Sequence, residues 1–233
     1  MNHPLMGYYH RVQPRSSDPS RRGLAVDPES LRQHARLIRQ RGLALRTVSD
    51  SLDAAGPGAA ALSFDDGFAD NLEYGVDALA SEGGVGTVYV VVSAIRTAGG
   101  PAGEMLSLKE LRQLAAAGWE IGSHSVSHPR LPELSEADQR AQVRDSKRQL
   151  EDLLGAAVRS FAYPYGLYSP VTVRLVQEAG YANAVTTAKR GGGTSRFEIP
   201  RLSLGGYGFR AVKQSLKLRL RLLFERPPAV APS

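Results

Sequence analysis

Short apolar runs alternate with longer amphipathic stretches along almost the whole of this 233-residue chain. No other feature constrains the fold as strongly. Strand-like and helix-like segments in regular turn imply a parallel sheet whose strands are joined by helices packed outside it. Residues 5–12 read as the first strand. Asp27-Pro28-Glu29 then opens a helix: Asp27 is its cap, Leu31, Ala35 and Ile38 share one face, and Gly42 is the stop. Ala59–Phe64 suits a strand buried on both faces. A helix over 71–81, a strand at 87–92, a helix from the capping-box pattern Ser107-Leu108-Lys109-Glu110 to Gly118 and a strand at 119–122 follow. The remaining pattern predicts a long helix over 135–154, a strand at 161–163 and a helix from Ser169-Pro170 to Gly180. Strands near 181–186 and 199–204 and a last helix over 209–224 complete it.

A doubly wound sheet and a barrel of seven or eight strands both satisfy this order. The chemistry-bearing strings favour the barrel, because each follows a strand directly, and residues after strand C-termini converge on one rim of a β/α barrel. The expectation is a single domain over 1–226 with a disordered tail at 227–233.

Composition narrows the chemistry. There are no cysteines, so disulfides, thiolate metal sites and cysteine nucleophiles are excluded, and any metal must rest on His, Asp or Glu. No apolar run reaches 18 residues, and Met1–Gly7 has none of the regions of a signal peptide, so the expected location is the cytoplasm. The net charge of +6 is peripheral: residues 11–41 hold eight Arg against three acids, and 210–226 hold six Lys/Arg against one. No recognition helix, zinc finger or aromatic RNA-binding motif accompanies this charge, so nucleic acid is not an expected partner. In the last helix Val212, Leu216, Leu220 and Leu223 share a face, with Lys213, Lys217, Arg219, Arg221 and Arg226 supplying charge. That segment reads as a closing barrel helix with a basic outer surface. Peripheral contact of 209–226 with an anionic membrane is the lesser alternative.

Three strings carry the chemistry. In Ser63-Phe64-Asp65-Asp66-Gly67, neighbouring carboxylates at a strand end point different ways, so one can bind a metal while the other accepts a proton. Alone, Asp-Asp-Gly is a common turn. His124 and His128 are spaced i, i+4, which on a helical turn brings both rings to one side. Alone, such a pair is more often two polar loop residues. In Arg159-Ser160-Phe161-Ala162-Tyr163-Pro164-Tyr165-Gly166, a strand breaks into a bend that can leave an N–H facing a cleft, as an oxyanion requires.

In order and spacing, these strings resemble the polysaccharide deacetylases, the NodB-homology carbohydrate esterases, over essentially the whole chain. The resemblance implies a distorted parallel (β/α) barrel of seven to eight strands and a hydrolase that removes N-acetyl groups from amino sugars in a poly- or oligosaccharide, or a lipid-linked glycan, releasing acetate. It implies Asp66, His124 and His128 as metal ligands, Asp65 as general base and the Tyr165 N–H as oxyanion donor. Zinc suits the His₂Asp set best, and cobalt, nickel or iron is also accepted.

The chain also departs from the pattern. Ala162 stands where many members carry the Arg that orients the base, and Arg201 is a candidate substitute, with Arg159 a nearer but less suitably spaced one. The family's late Asp-x-x-Asp-Trp motif is missing, and no histidine follows His128 to serve as acid. His10, at the end of the first strand, resembles the acid of the poly-β-1,6-N-acetylglucosamine deacetylase branch, in which that motif lies near the N-terminus; His34 reads as structural. These departures motivate an alternative reading, a catalytically weakened member that binds carbohydrate or serves as a scaffold. The Gly-rich loops at 96–104 and 189–196 are the candidates for substrate specificity.

Overall fold

A computed structural model of the chain describes residues 3–14, 25–54, 58–96, 104–187, 195–206 and 209–223. In chain order its strands are β1 (Leu5–Tyr9), β2 (Arg11–Val12), β3 (Ala25–Val26), β4 (Ala44–Arg46), β5 (Ala59–Phe64), β6 (Thr87–Val90), β7 (Glu120–Ser123), β8 (Ser160–Ala162), β9 (Asn183–Thr187) and β10 (Ile199–Ser203). The helices are α1 (Pro28–Gln40), α2 (Val48–Asp53), α3 (Val76–Ala80), α4 (Leu108–Ala116), α5 (Glu136–Leu154), α6 (Pro170–Glu178) and α7 (Phe209–Leu223).

Seven strands close a parallel barrel. β5 to β10 neighbour one another in sequence order, β10 pairs with β1 at Gly7↔Leu202, and β1 pairs with β5 from Leu5↔Ala60 to Tyr9↔Phe64. β4 is the extra strand. It covers the first half of one β5 edge, from Ala44↔Ala59 to Arg46↔Ala61, and β6 takes over that edge at Ser63↔Thr87. The alternation of side chains along each strand sorts the core into two layers. Met6, Ala61, Tyr89, Ala162, Val185 and Ile199 fill the barrel interior, while Leu5, Leu62, Phe64, Val88, Val90 and Phe161 face the helices. Helix α1 shows how the outer layer is built: Asp27 Oδ1 accepts the Ser30 N–H at 3.0 Å, and Leu31, Ala35 and Ile38 are buried. Fully burying each of the two larger side chains contributes roughly 1.5–3 kcal/mol.

The end of the barrel away from the rim is closed by polar groups. Glu120 accepts from Ser49 N at 3.1 Å, from the Ser49 hydroxyl and from Thr87 Oγ1 at 3.0 Å. Asn183 links Ser49 Oγ to Ser160 Oγ, which meets the Tyr89 hydroxyl at 2.6 Å. Tyr89 can cross the interior because β7 has Gly122 opposite it. A Cβ there would lie 2.5 Å from the Tyr89 ring.

Several elements differ from the sequence reading. The first strand does not run through 5–12: it breaks at His10, and β2 leaves the barrel to pair with β3. The strand at 87–92 stops at Val90, because Val92 N and Ser93 N turn to bond Ser125 O and Val126 O. The helix at 71–81 starts with a wide turn over Asn71–Gly75. β3, β4 and α2 are absent from the reading. The tail 227–233 and most of the two Gly-rich loops lie outside the described residues.

Candidate active site

Every non-glycine residue with positive φ among the described residues belongs to one rim of the barrel: Asp66 (74°), Ser125 (68°), His128 (59°) and Tyr165 (58°). Such backbone costs free energy and persists only where its surroundings impose it, and it concentrates at functional sites.

Asp66 turns away from the end of β5 with Gly67 behind it, also left-handed. This separates the two carboxylates. The Asp66 Oδ1 lies 3.7 Å from His124 Nε2 and 3.6 Å from His128 Nε2, and one ligand atom from each of the three residues falls within 4.8 Å of the others. Zinc bonds of about 2.0–2.2 Å place tetrahedral ligand atoms roughly 3.3–3.6 Å apart, so the cluster fits a small divalent ion. The donor set agrees. His124 Nδ1 lies 2.7 Å from the Ala162 carbonyl, which can only accept, so the proton sits on Nδ1 and the Nε2 lone pair is left for a metal. Burial also pushes the His124 imidazole below its ordinary value against the opposing charges of Asp65 and Asp66, favouring the neutral ligand form.

The histidines do not sit on a helical turn, as their spacing suggests. They flank an irregular loop in which Ser125 Oγ accepts the His128 N–H at 2.9 Å, while Gln142 Oε1, from α5, accepts the N–H groups of Val126 and Ser127 at 3.1 and 3.0 Å. Gln142 is a loop-setting residue that sequence reasoning missed. A polar side chain inside a long helix carries no local sign of such a role.

Asp65 points inward instead. It is 4% exposed, and Arg201 from β10 grips it with both arms, Nη1 to Oδ1 at 2.6 Å and Nη2 to Oδ2 at 2.8 Å. Nη1 also donates to Ser63 Oγ at 3.0 Å, and the guanidinium lies 4.8 Å from the Tyr8 ring and 5.3 Å from the Tyr89 ring. Burial works against a charge here, but the attraction of Arg201 outweighs it, with help from His124 and His10, and the Asp65 carboxyl falls to about 2. Arg159 plays no part. It binds Asp53 on the outside of the barrel.

His10 lies one residue past the end of β1, its ring 5.8 Å from that of Tyr8. Three residues fix its backbone where the strand breaks. Asn71 Nδ2 donates to the His10 carbonyl at 2.9 Å, Asp70 Oδ1 accepts from Val12 N at 3.0 Å, and Arg11 Nε reaches Asp70 Oδ2 at 2.8 Å. The sequence pattern marks Asn71 only as the start of a helix and gives Asp70 no role. His34 lies away from the rim, buried between the Tyr9 hydroxyl at 2.9 Å and Ser215 Oγ at 2.7 Å. In the Pro164–Gly166 turn the closing bonds use the N–H groups of Gly166 and Leu167, not that of Tyr165. The Tyr165 ring is 53% exposed, 4.5 Å from His128 and 5.0 Å from the Arg130 guanidinium.

Residues 53–184, which include the aspartates, both histidines and the Pro-Tyr-Gly turn, match the sequence profile of the polysaccharide deacetylases. The chain belongs to the polysaccharide deacetylase family. YxkH of Bacillus subtilis (strain 168), named for the same family, is 27% identical over 162 residues. That alignment takes in 67% of this chain and 56% of YxkH, so the chain spans little more than half of that relative's length. The barrel matches the Streptococcus pyogenes deacetylase PplD, solved in complex with acetate, with a TM-score of 0.78 at 20% identity, over 93% of this chain and 97% of PplD. IcaB from Ammonifex degensii matches with a TM-score of 0.74 at 20% identity, over 93% and 97% of the two chains. At such identity these two matches speak for the fold, a NodB-type (β/α) barrel.

Proposed function

We propose that the chain hydrolyses the N-acetyl group of an amino sugar in a poly- or oligosaccharide, or in a lipid-linked glycan, and releases acetate with the help of a divalent metal. The observation that carries this reading is the side-by-side placement of two different carboxylates: Asp66 within reach of His124 and His128, and Asp65 clamped by Arg201. Asp66, His124 and His128 would hold the metal, with zinc the first choice before cobalt, nickel or iron. When bound, such an ion polarises a carbonyl and lowers the pKa of a water.

The chain's own groups do the rest. Asp65, held ionised and in one orientation, takes a proton from the attacking water as its oxygen adds to the acetamide carbon. The Tyr165 N–H donates to the oxyanion, a contact worth about 3 kcal/mol in the transition state. As the C–N bond breaks, His10 in its protonated form gives a proton to the departing amine. Arg201 is a positioning residue, and it makes the contact that Ala162 cannot. That contact speaks against the weakened-member alternative.

The test is acetate release from a panel of acetylated β-1,4- and β-1,6-linked oligosaccharides, with each of the four metals added to metal-stripped protein. Turnover is expected with zinc. It should vanish in Asp65→Asn while zinc stays bound, whereas His124→Ala and His128→Ala should lose the zinc itself. Folded wild-type protein that binds no metal and releases no acyl group from any substrate overturns the proposal.

A further inference from the structure

The α7 helix carries two apolar stripes, and the fold uses one. Leu218 and Leu222 are buried against the barrel, whereas Leu216, Leu220 and Leu223 are 55%, 51% and 63% exposed. At about 100° per residue, the exposed three span roughly 60° of the helix, on the side opposite the buried pair. They are the larger part of the apolar face that the sequence reading picked out, so that face turns outward. On the same projection Lys213 and Lys217 lie along one flank of the stripe and Arg219 along the other, all three exposed. No carboxylate among the described residues pairs with any of them, and α7 contains no acidic residue.

The stripe continues onto α1. His34 meets Ser215 and Arg41 meets the Leu222 carbonyl, each pair 181 residues apart, so the two helices lie side by side and parallel. Between them runs a groove of about 360 Å³ whose apolar lining, Leu37, Leu216, Leu220, Leu222 and Leu223, is shared with Gln40, Arg41 and Arg219. An apolar surface with cations on both edges matches the layering of an anionic bilayer, in which phosphates lie just above the acyl chains. A second copy of the chain matches it poorly, because it would bring the same cations face to face. Among the described residues no helix is long and apolar enough to cross a membrane, so contact would be at the surface.

We infer that α7, with the adjoining edge of α1, docks the barrel wall onto an anionic membrane surface. The helix lies along the wall, so the site rim would open beside the bilayer.

Co-sedimentation with vesicles of phosphatidylcholine alone, or with phosphatidylglycerol added, tests this on the full chain. The wild type should pellet with the anionic vesicles at low salt and not with the neutral ones. The triple variant Leu216→Ser/Leu220→Ser/Leu223→Ser should stay in the supernatant, with circular dichroism and urea midpoint unchanged because its sites are exposed. Lys213→Gln/Lys217→Gln/Arg219→Gln should bind anionic vesicles about a hundredfold more weakly. Failure of the folded wild type to bind, or undiminished binding by the triple Ser variant, overturns the inference. So does a wild-type dimer in light scattering that the Ser variant converts to monomer, which would assign the stripe to a second copy.

Discussion

Replacing Arg201 by Met removes the guanidinium that grips a buried carboxylate and leaves the carboxylate in place. Two charge-assisted bonds disappear, at 2.6 and 2.8 Å, and Asp65 is left 4% exposed without them. Charge-assisted bonds contribute roughly 1.5–3 kcal/mol each, and removing one partner of a buried pair generally costs about 3–5 kcal/mol. Against a total stability of about 5–15 kcal/mol, that is a large fraction. Asp65→Asn leaves Arg201 stranded instead, with a comparable loss. The double variant strands neither charge, so it should be more stable than the sum of the single losses predicts, by about 3 kcal/mol. Urea unfolding of all four proteins in EDTA, followed by circular dichroism, gives the cycle directly. A coupling within about 0.5 kcal/mol of zero, as expected for independent sites, would refute the claim that this pair acts as a unit. The pH profile supplies a second check. Asp65 titrates at about 2 in the folded chain, below its unfolded value, so the pair's contribution is complete above about pH 4 and fades as pH falls through about 2. On the proposed mechanism, recovered stability in the double variant should not bring back turnover, because Asp65, the proposed base, is still replaced.

Three further outcomes are expected. His34 is pushed down to about 4 by burial, so the unfolded chain takes up the proton first. Stability should therefore fall by roughly 3 kcal/mol as pH drops from about 6.5 to about 4, and urea midpoints of His34→Gln should flatten that slope. Gly122→Ala places a methyl 2.5 Å from the Tyr89 ring, which lines the Arg201 cradle. It should cost about 1–3 kcal/mol by urea unfolding and lower kcat more than it raises KM. His10→Ala should reduce kcat about a hundredfold or more with zinc content unchanged by metal analysis. Full turnover in that variant would remove His10 from the proton-donor role.

The sequence announces the parts of the site where several chemistry-bearing residues crowd into one string after a strand, as in Asp65-Asp66-Gly67. It is nearly silent where a contact joins distant segments. Arg201 meets Asp65 across 136 positions, and nothing in Ile199-Pro200-Arg201 says that its side chain faces inward toward that carboxylate. Asp70, Asn71 and Gln142 hold backbone groups of the His10 strand break and the histidine loop, yet each looks like an ordinary polar residue near or inside a helix. The spacing of His124 and His128 suggests a helical turn because positive φ at Ser125 leaves no mark in the string Ser-Val-Ser. β3 and β4 are too short to generate a period. In α7 the period is legible, but a helix with two apolar stripes does not say which one the core will take.

The grip of the last strand on the end of β5 also has a consequence for the order in which the molecule comes into being. Asp65 leaves the ribosome 136 residues ahead of Arg201, an interval of about 7–27 s at ordinary rates of synthesis. Through that interval the growing chain acquires every candidate metal ligand, while the carboxylate beside them lacks the guanidinium that clamps it and the barrel has no seam. Completion of the closing strand is therefore the event that clamps Asp65 in place beside the candidate metal ligands.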